Sequence, residues 1–269
     1  MVDTVVRAGE LPDWLLAHGR TCITTIEIAE QLDIPLAEVP PITARWRTKK
    51  QAFSPTRGLY VPIPPEFRKW GVVPAKNFVD PLMRHLGHRY YVGYLSAAEV
   101  HGASHQKPQV FQVVTSARLA NRRIERVRIE FIHSVHLGRR PTVTVNTPTG
   151  SISVSTPETT VLDLITNPRL GAGLSNIATI IGEMLQDATL NLSTLCQLAP
   201  EYPGATAQRA GWMIEQAATE VGVDVELEAL ADLARSRIEP TPLSSSAPRR
   251  GPLDRRWNIV VNTEVESDL

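Results

Sequence analysis

Histidine residues occur in three closely spaced pairs. Imidazole nitrogens are common metal ligands, so each pair is a candidate for part of a metal site. The pairs are His85 with His88, His101 with His105, and His133 with His136. A zinc site needs three or four ligands that converge on the ion. His133 and His136 are three residues apart in a predicted strand, so their side chains would point to opposite faces. Gly102 lies between His101 and His105, so these two need not share a helix face. The sequence therefore predicts no metal and no cofactor.

Serine and carboxylate residues allow two enzymatic interpretations. Ser96 and His101 resemble part of a hydrolase site, but the chain has no glycine-flanked serine elbow, and Ser96 is better placed as a helix cap. Glu99 and Glu130 would be the carboxylates of a metal-dependent nuclease, which needs clustered acids with a lysine nearby. Lys107 is the only lysine near them in the sequence. We expect no catalytic residues, and a nuclease targeted to DNA by a winged helix stays the enzymatic alternative.

Cations outnumber acids strongly between residues 45 and 69, which favours contact with nucleic acid. The cations are Arg45, Arg47, Lys49, Lys50, Arg57, Arg68 and Lys69, and the only acid is Glu66. A solvated surface helix would normally mix the two signs. A purely structural or protein-binding module is the alternative for this segment.

The elements that would position these cations have the order of a winged helix-turn-helix, in which one helix enters the DNA major groove and a β-hairpin lies beside it. Thr24 or Thr25 is expected to cap a helix in TTIEIAEQL, and Pro35 ends that helix. A hairpin ending in GLYV follows the next helix. Gly58 would supply the positive φ of its turn.

The helix between them is the predicted recognition helix. It begins near Leu36 or, because of two consecutive prolines, as late as Pro40 or Pro41. Val39, Ile42 and Trp46 have the spacing of a buried stripe. The residues expected to contact DNA are Thr43, Arg45, Arg47, Lys49 and Lys50 on the helix and Arg57 on the wing. Thr43 would read a base edge.

A second basic patch is predicted in the segment 118–128. It contains five arginines, namely Arg118, Arg122, Arg123, Arg126 and Arg128. The sequence leaves three roles open: an extension of the DNA footprint, contact with an acidic partner protein, or a solvated loop.

The net charge of zero conceals an uneven distribution. Residues 1–140 contain 20 Lys and Arg against 12 Asp and Glu, whereas residues 141–248 contain 4 against 12. A basic front suits a protein that faces nucleic acid on one side. The acidic part would face a basic partner or simply be solvated helix surface.

With 269 residues, the chain is long enough for two domains. We expect a winged helix-turn-helix domain over residues 1–75 and a larger α+β domain over residues 76–269. Cys22 and Cys196 lie far apart without a partner motif, which favours a reduced, cytoplasmic setting. No apolar run approaches the roughly 18 residues needed to span a bilayer, so no membrane partner is expected.

The second domain is predicted to contain an antiparallel sheet followed by C-terminal helices. A strand buried on both faces lies near residues 110–114, RRIERVRIEFIHSV is expected to form one half-exposed strand, and PTVTVNTPTGSISVSTP two more. Thr156 and Ser175 would cap helices after the sheet. Residues 239–256 are predicted from composition to be a flexible linker, before a terminal strand at 257–262 that could return to the sheet.

Several motifs resemble those of the AbiE-type antitoxin family of bacterial abortive-infection systems, and more closely the mycobacterial MenA antitoxins. The motifs are GLYV, YYVGYLSAAEVHG with SHQKPQVFQVV, NTPTGSISVSTPETTVLDLI and RWNIVVN. The resemblance covers nearly the whole chain. The resemblance implies a transcriptional regulator that represses its own operon by binding operator repeats. It also implies a nucleotidyltransferase-like toxin as partner, neutralised with help from the C-terminal domain. Repeated operator sites imply self-association on DNA. An antitoxin that works mainly by protein contact is the remaining alternative.

Overall fold

The computed structural model describes residues 6–103 and 108–269. The helices are α1 (Leu11–Ala17), α2 (Thr25–Leu32), α3 (Val39–Thr48), α4 (Val79–His85), α5 (Tyr94–Val100), α6 (Pro157–Thr166), α7 (Leu174–Gln186), α8 (Leu192–Leu198), α9 (Gly204–Val221) and α10 (Glu228–Arg235). The strands are β1 (Ile23–Thr24), β2 (Ala52–Thr56), β3 (Leu59–Pro62), β4 (Tyr90–Val92), β5 (Phe111–Thr115), β6 (Arg122–Ile124), β7 (Val127–His133), β8 (Thr142–Thr147), β9 (Gly150–Ser155), β10 (Thr241–Pro242), β11 (Leu253–Asp254) and β12 (Ile259–Val260).

The chain forms two compact units. Unit 1 contains residues 1–91, 109–135 and 144–153, and unit 2 contains residues 92–108, 136–143 and 154–269. The predicted division at residues 75 and 76 differs from this one, because the chain after residue 91 alternates between the two units before residues 154–269 complete unit 2.

The N-terminal part of unit 1 consists of three helices and a small sheet. Strand β1 pairs antiparallel with β3, and β3 pairs antiparallel with β2. The helices bury Leu11, Ile28, Val39 and Trp46 in one apolar cluster. The predicted cap of α2 is confirmed, because the Thr24 hydroxyl accepts a hydrogen bond from the amide of the third helical residue in a capping box. These elements occur in the predicted order and nearly at the predicted positions.

The larger sheet has the strand order β6-β7-β5-β4-β9-β8. The prediction of an antiparallel sheet is only partly correct, because the sheet is mixed: β5 and β7 pair in parallel along five residues, and β4 pairs in parallel with β9. Strand β6 lies at the edge of the sheet and pairs antiparallel with β7. Strand β7 therefore lies between β6 and β5 and runs parallel to β5. Local residue patterns do not encode such a non-local pairing.

The segment predicted as one half-exposed strand is instead the β6–β7 hairpin. Its two-residue turn is Glu125 and Arg126, and Glu125 has a φ of 51°. This turn contains none of the Asn-Gly or Asp-Gly signals that mark a tight hairpin in a sequence. The prediction for the preceding strand is confirmed, because residues 112–115 of β5 are all buried.

Unit 2 is built mainly from helices, and its helix caps were only partly predicted. Thr156 caps α6 with a side-chain hydrogen bond, as expected. Ser96 does not cap α5, because that helix begins at Tyr94 after Gly93 and encloses Ser96 at 1 % exposure. Ser175 does not cap α7 either, because the helix begins one residue earlier, after Gly173.

The predicted flexible linker at 239–256 is wrong. Strands β10 and β11 fall within it and pair with β12 in a three-stranded sheet of order β10-β12-β11, and Leu243 is fully buried. The predicted terminal strand exists as β12, but it belongs to this small sheet and does not return to the larger one. Proline and serine content misled the prediction, since both residues are compatible with short edge strands.

A glycine in α9 makes room for the fully buried indole of Trp257. A β-carbon at Gly211 would lie 1.9 Å from Cζ3 and 2.0 Å from Cε3 of Trp257. The indole is fully buried, and its Nε1 donates a hydrogen bond to Glu215 Oε2 at 2.6 Å. The helix and the indole therefore touch at the backbone of Gly211.

Gly211→Ala is expected to lower the free energy of unfolding by about 1–3 kcal/mol through overpacking, although alanine is the better helix former. Urea denaturation followed by circular dichroism would measure the loss. The same substitution in a Trp257→Leu background, where the ring is gone, should be neutral or stabilising. An equal loss in both backgrounds would contradict the proposed contact.

Candidate nucleic-acid interface

Helix α3 and its C-cap residue Lys49 expose three cations on the side opposite to the buried side chains. A 3-10 turn at Leu36–Glu38 leads into the helix, and Pro40 lies in its first turn, where the amides lack helical partners. The side chains of Arg45, Arg47 and Lys49 are exposed. The opposite side of α3 packs into the cluster around Trp46.

Thr43 does not belong to this exposed surface, so the prediction that it reads a base edge is wrong. Its side chain is 1 % exposed, and its hydroxyl donates a hydrogen bond to the carbonyl oxygen of Pro40 at 3.1 Å. This bond within the helix satisfies the hydroxyl and permits burial. Ile42, expected in the stripe, is only partly buried. The buried positions of α3 are therefore Val39, Thr43 and Trp46.

Lys50 follows the end of α3 and is turned toward a neighbouring segment. Its backbone has a φ of 53°, and its Nζ donates a hydrogen bond to the carbonyl oxygen of Lys69 at 3.2 Å. The ammonium therefore lies beside the exposed residues Lys69 and Trp70. Among the four cations Arg45, Arg47, Lys49 and Lys50, Lys50 alone is held by such a bond within the described residues.

The turn of the β2–β3 hairpin carries Arg57 and Gly58. Gly58 has the predicted positive φ, 81°. The carbonyl oxygen of Arg57 lies 3.1 Å from Nε2 of His85 in α4, which fixes the turn, while the Arg57 side chain is exposed. Sequence reasoning did not detect this role of His85, since nothing local relates the two segments.

The five basic residues of this surface, Arg45, Arg47, Lys49, Lys50 and Arg57, form no ion pair within residues 6–103 and 108–269. Exposed cations whose charge no carboxylate neutralises attract anions. Their arrangement on a helix and an adjacent hairpin turn suits a polyanion better than a single small anion.

Only four of the five arginines of the second basic patch are exposed. Arg122 is half-buried, and its Nη1 donates a hydrogen bond to the carbonyl oxygen of Pro55 in β2 at 2.6 Å. Burial lowers the pKa of this guanidinium. Arg122 is therefore a structural link, and the expectation that it belongs to an exposed patch is wrong. The other four arginines, Arg118, Arg123, Arg126 and Arg128, are exposed.

Trp70 is a residue of this region that sequence reasoning missed. It is 45 % exposed, and the guanidinium of Arg126 lies 4.9 Å from its ring centroid, within the range of a cation–π contact. The available signal was an aromatic residue directly after two cations in FRKW.

The metal and nuclease interpretations find no site among the described residues. Residues 6–103 and 108–269 contain no group of three or more His, Cys, Asp or Glu that could hold a metal ion. Glu99 lies in α5 of unit 2, whereas Glu130 lies in β7 of unit 1. His101 Nε2 is 2.7 Å from the carbonyl oxygen of Ser155. Its predicted partner His105, like Lys107, lies outside the described residues.

Two further expectations concern the cysteines and a membrane-spanning helix. Cys22 and Cys196 are free and half-buried, and burial is the main cause that raises the pKa of both thiols. Among the helices of the part of the chain that the structure describes, none has the length and apolarity needed to cross a bilayer.

The fold and the basic surface define an α+β protein with mixed and antiparallel sheets, C-terminal helices and a cationic helix-and-hairpin surface. Residues 91–216 match the family model described as the AbiEi antitoxin C-terminal domain. This match confirms the resemblance to the AbiE-type antitoxin family over residues 91–216. The finer resemblance to the mycobacterial MenA antitoxins stays a prediction.

A solved structure shares the fold. It is the crystal structure of the RV2827C protein from Mycobacterium tuberculosis, with a TM-score of 0.68, 14 % sequence identity and coverage of 97 % of this chain and 91 % of that one. No curated protein matches the chain significantly.

Proposed function

We propose that this protein is the DNA-binding antitoxin of a bacterial toxin–antitoxin system of the abortive-infection type. It represses its own operon and counteracts a nucleotidyltransferase-like toxin, and it carries out no catalysis itself. Residues 11–62 act as a winged helix-turn-helix: α3 enters the major groove of operator DNA, and the β2–β3 hairpin is the wing. The observation that carries the DNA-binding part is the set of exposed, unpaired cations on α3 and the hairpin turn.

The toxin partner is proposed from the match to an antitoxin domain and from the acidic composition of the C-terminal part. Residues 91–216 match an antitoxin domain, and residues 141–248 are strongly acidic, so an acidic surface there suits a basic partner protein. Two or more copies would assemble on repeated operator sites.

The DNA-binding proposal is tested with the double variant Arg45→Ala/Arg47→Ala. Loss of two phosphate or groove contacts should weaken binding and reduce the slope of log K against log salt by about one to two units. Fluorescence anisotropy would be measured on the duplex upstream of the protein's own gene and on a scrambled duplex, from about 50 to about 200 mM salt.

The matched control is Arg249→Ala/Arg250→Ala, which removes the same charge from two exposed arginines of unit 2. It should bind as the unsubstituted protein does. A salt slope that Arg45→Ala/Arg47→Ala leaves unchanged would remove both residues from the interface.

The second candidate function is an antitoxin that works by protein contact with incidental DNA binding, and the family match to residues 91–216 favours it. A fragment beginning near Lys76 is a poor test, because unit 1 includes residues on both sides of that point. The full-length Arg45→Ala/Arg47→Ala variant is a better one. Full protection of cells from the toxin after loss of DNA binding would support protein contact.

A further inference from the structure

The β6–β7 hairpin places two arginines directly opposite each other. Arg123 pairs with Arg128 in the antiparallel register, between the pairs Arg122–Ile129 and Ile124–Val127. Because side chains alternate along a strand, Arg123 and Arg128 share the face away from the buried Ile129. Both are exposed.

The repulsion between Arg123 and Arg128 destabilises the hairpin, and no ion pair with a described carboxylate offsets it. Like charges directly opposite each other in a sheet are destabilising. Glu130 follows on the same face of β7, yet within residues 6–103 and 108–269 neither Arg123 nor Arg128 forms an ion pair with it or with any other carboxylate. An anion bound between the two guanidinium groups would offset the repulsion, and arginine binds phosphate in a bidentate manner.

The hairpin is attached to both elements of the cationic surface. At one strand, Arg122 Nη1 donates its hydrogen bond to Pro55 of β2. At the turn, the Glu125 side chain lies 3.6 Å from the position that a β-carbon at Gly71 would take, and the Lys50 side chain lies 3.7 Å from the same point. The hairpin that carries the two arginines is therefore held next to the end of α3 and the β2–β3 hairpin.

We infer that Arg123 and Arg128 together bind one backbone phosphate of the DNA, beside the duplex region held by α3 and the wing. This inference rests on the proposed DNA binding. Attachment of this hairpin beside the cations of α3 and of the β2–β3 turn favours DNA over an acidic protein as the occupant. The hairpin is thus a third DNA-contacting element, with Arg122 holding it in position.

The test is the double variant Arg123→Gln/Arg128→Gln on the upstream duplex, with Arg249→Gln/Arg250→Gln as the control of equal charge change. Because the pair shares one phosphate, the salt slope should fall by about one unit, and not by about two. Binding should weaken about five- to tenfold at moderate salt. Arg123→Lys/Arg128→Lys should keep the slope, and thermal melting should show that all variants stay folded.

Four outcomes would overturn the inference. Binding by the double variant equal to that of the unsubstituted protein removes the hairpin from the DNA interface but leaves the proposed function intact. A fall of the salt slope by about two units means that Arg123 and Arg128 bind two separate phosphates. Unchanged DNA binding with lost protection from the toxin means that the pair contacts a protein. Failure of the unsubstituted protein to prefer the upstream duplex overturns the proposed DNA binding and the inference together.

Discussion

Trp46→Ala is expected to unfold the N-terminal part of unit 1 and abolish specific DNA binding. The indole is 1 % exposed and packs edge to face with Tyr60, with ring centroids 6.3 Å apart. Its Nε1 donates a hydrogen bond to the carbonyl oxygen of Ala8 at 2.7 Å. Truncation of such a side chain costs about 3–5 kcal/mol, a large share of the roughly 5–15 kcal/mol that stabilises a typical protein. Since Trp46 lies in α3, the exposed cations of that helix lose their fixed positions.

Urea denaturation followed by far-ultraviolet circular dichroism would measure the loss, and anisotropy would measure binding. Trp70→Ala is the matched control, because that indole is 45 % exposed and its removal should change the free energy of unfolding little. Trp46→Phe keeps an aromatic ring but loses the hydrogen bond, so it should lie between the two. Equal stability of Trp46→Ala and Trp70→Ala would show that Trp46 is not the centre of the cluster.

Local rules predicted the N-terminal elements well because the information there is local. A capping threonine, a proline after the helix and a glycine at positive φ each act within a few residues, and Thr24 and Gly58 have the predicted roles. The buried face of α3 was only partly predicted. Hydrophobicity favoured Ile42, but the helix is rotated so that Thr43 is buried, and its hydrogen bond to Pro40 removes the cost of burying the hydroxyl.

The larger sheet and the arginine segment could not be derived from local patterns. The parallel pairing of β5 with β7 joins strands that are separated by β6 in the sequence. The alternation of apolar residues shows which face of a strand is buried, but it does not show which strand pairs with it. The five arginines of 118–128 look alike in the sequence. Only the structure separates Arg122, which is bonded to Pro55, from the opposed pair Arg123 and Arg128.

A buried charge network in unit 2 leads to the second large effect, that of Asp163→Ala. The side chains of Arg140 and Asp163 are 6 % and 8 % exposed, with Nε and Oδ1 3.8 Å apart. The guanidinium of Arg140 lies 3.6 Å from the ring centroid of Tyr202, whose hydroxyl donates a hydrogen bond to Asp163 Oδ1 at 3.0 Å. Burial, helped by the negative charge of Asp163, raises the pKa of Tyr202 far above its usual range, so the hydroxyl stays protonated and remains a donor.

Asp163→Ala leaves the Arg140 guanidinium buried without its carboxylate, and loss of one member of a buried ion pair costs about 3–5 kcal/mol. The neighbouring pair of Arg139 with Glu201 is the matched control. Its atoms are 3.4 Å apart, but its side chains are 71 % and 46 % exposed, so Glu201→Ala should cost at most about 1 kcal/mol. Chemical denaturation of both variants would measure the difference. In the double variant Arg140→Met/Asp163→Leu no charge is left unpaired, and most of the stability should return. If the double variant is as unstable as Asp163→Ala alone, the loss comes from packing and from the Tyr202 hydrogen bond, and the buried arginine is not its cause.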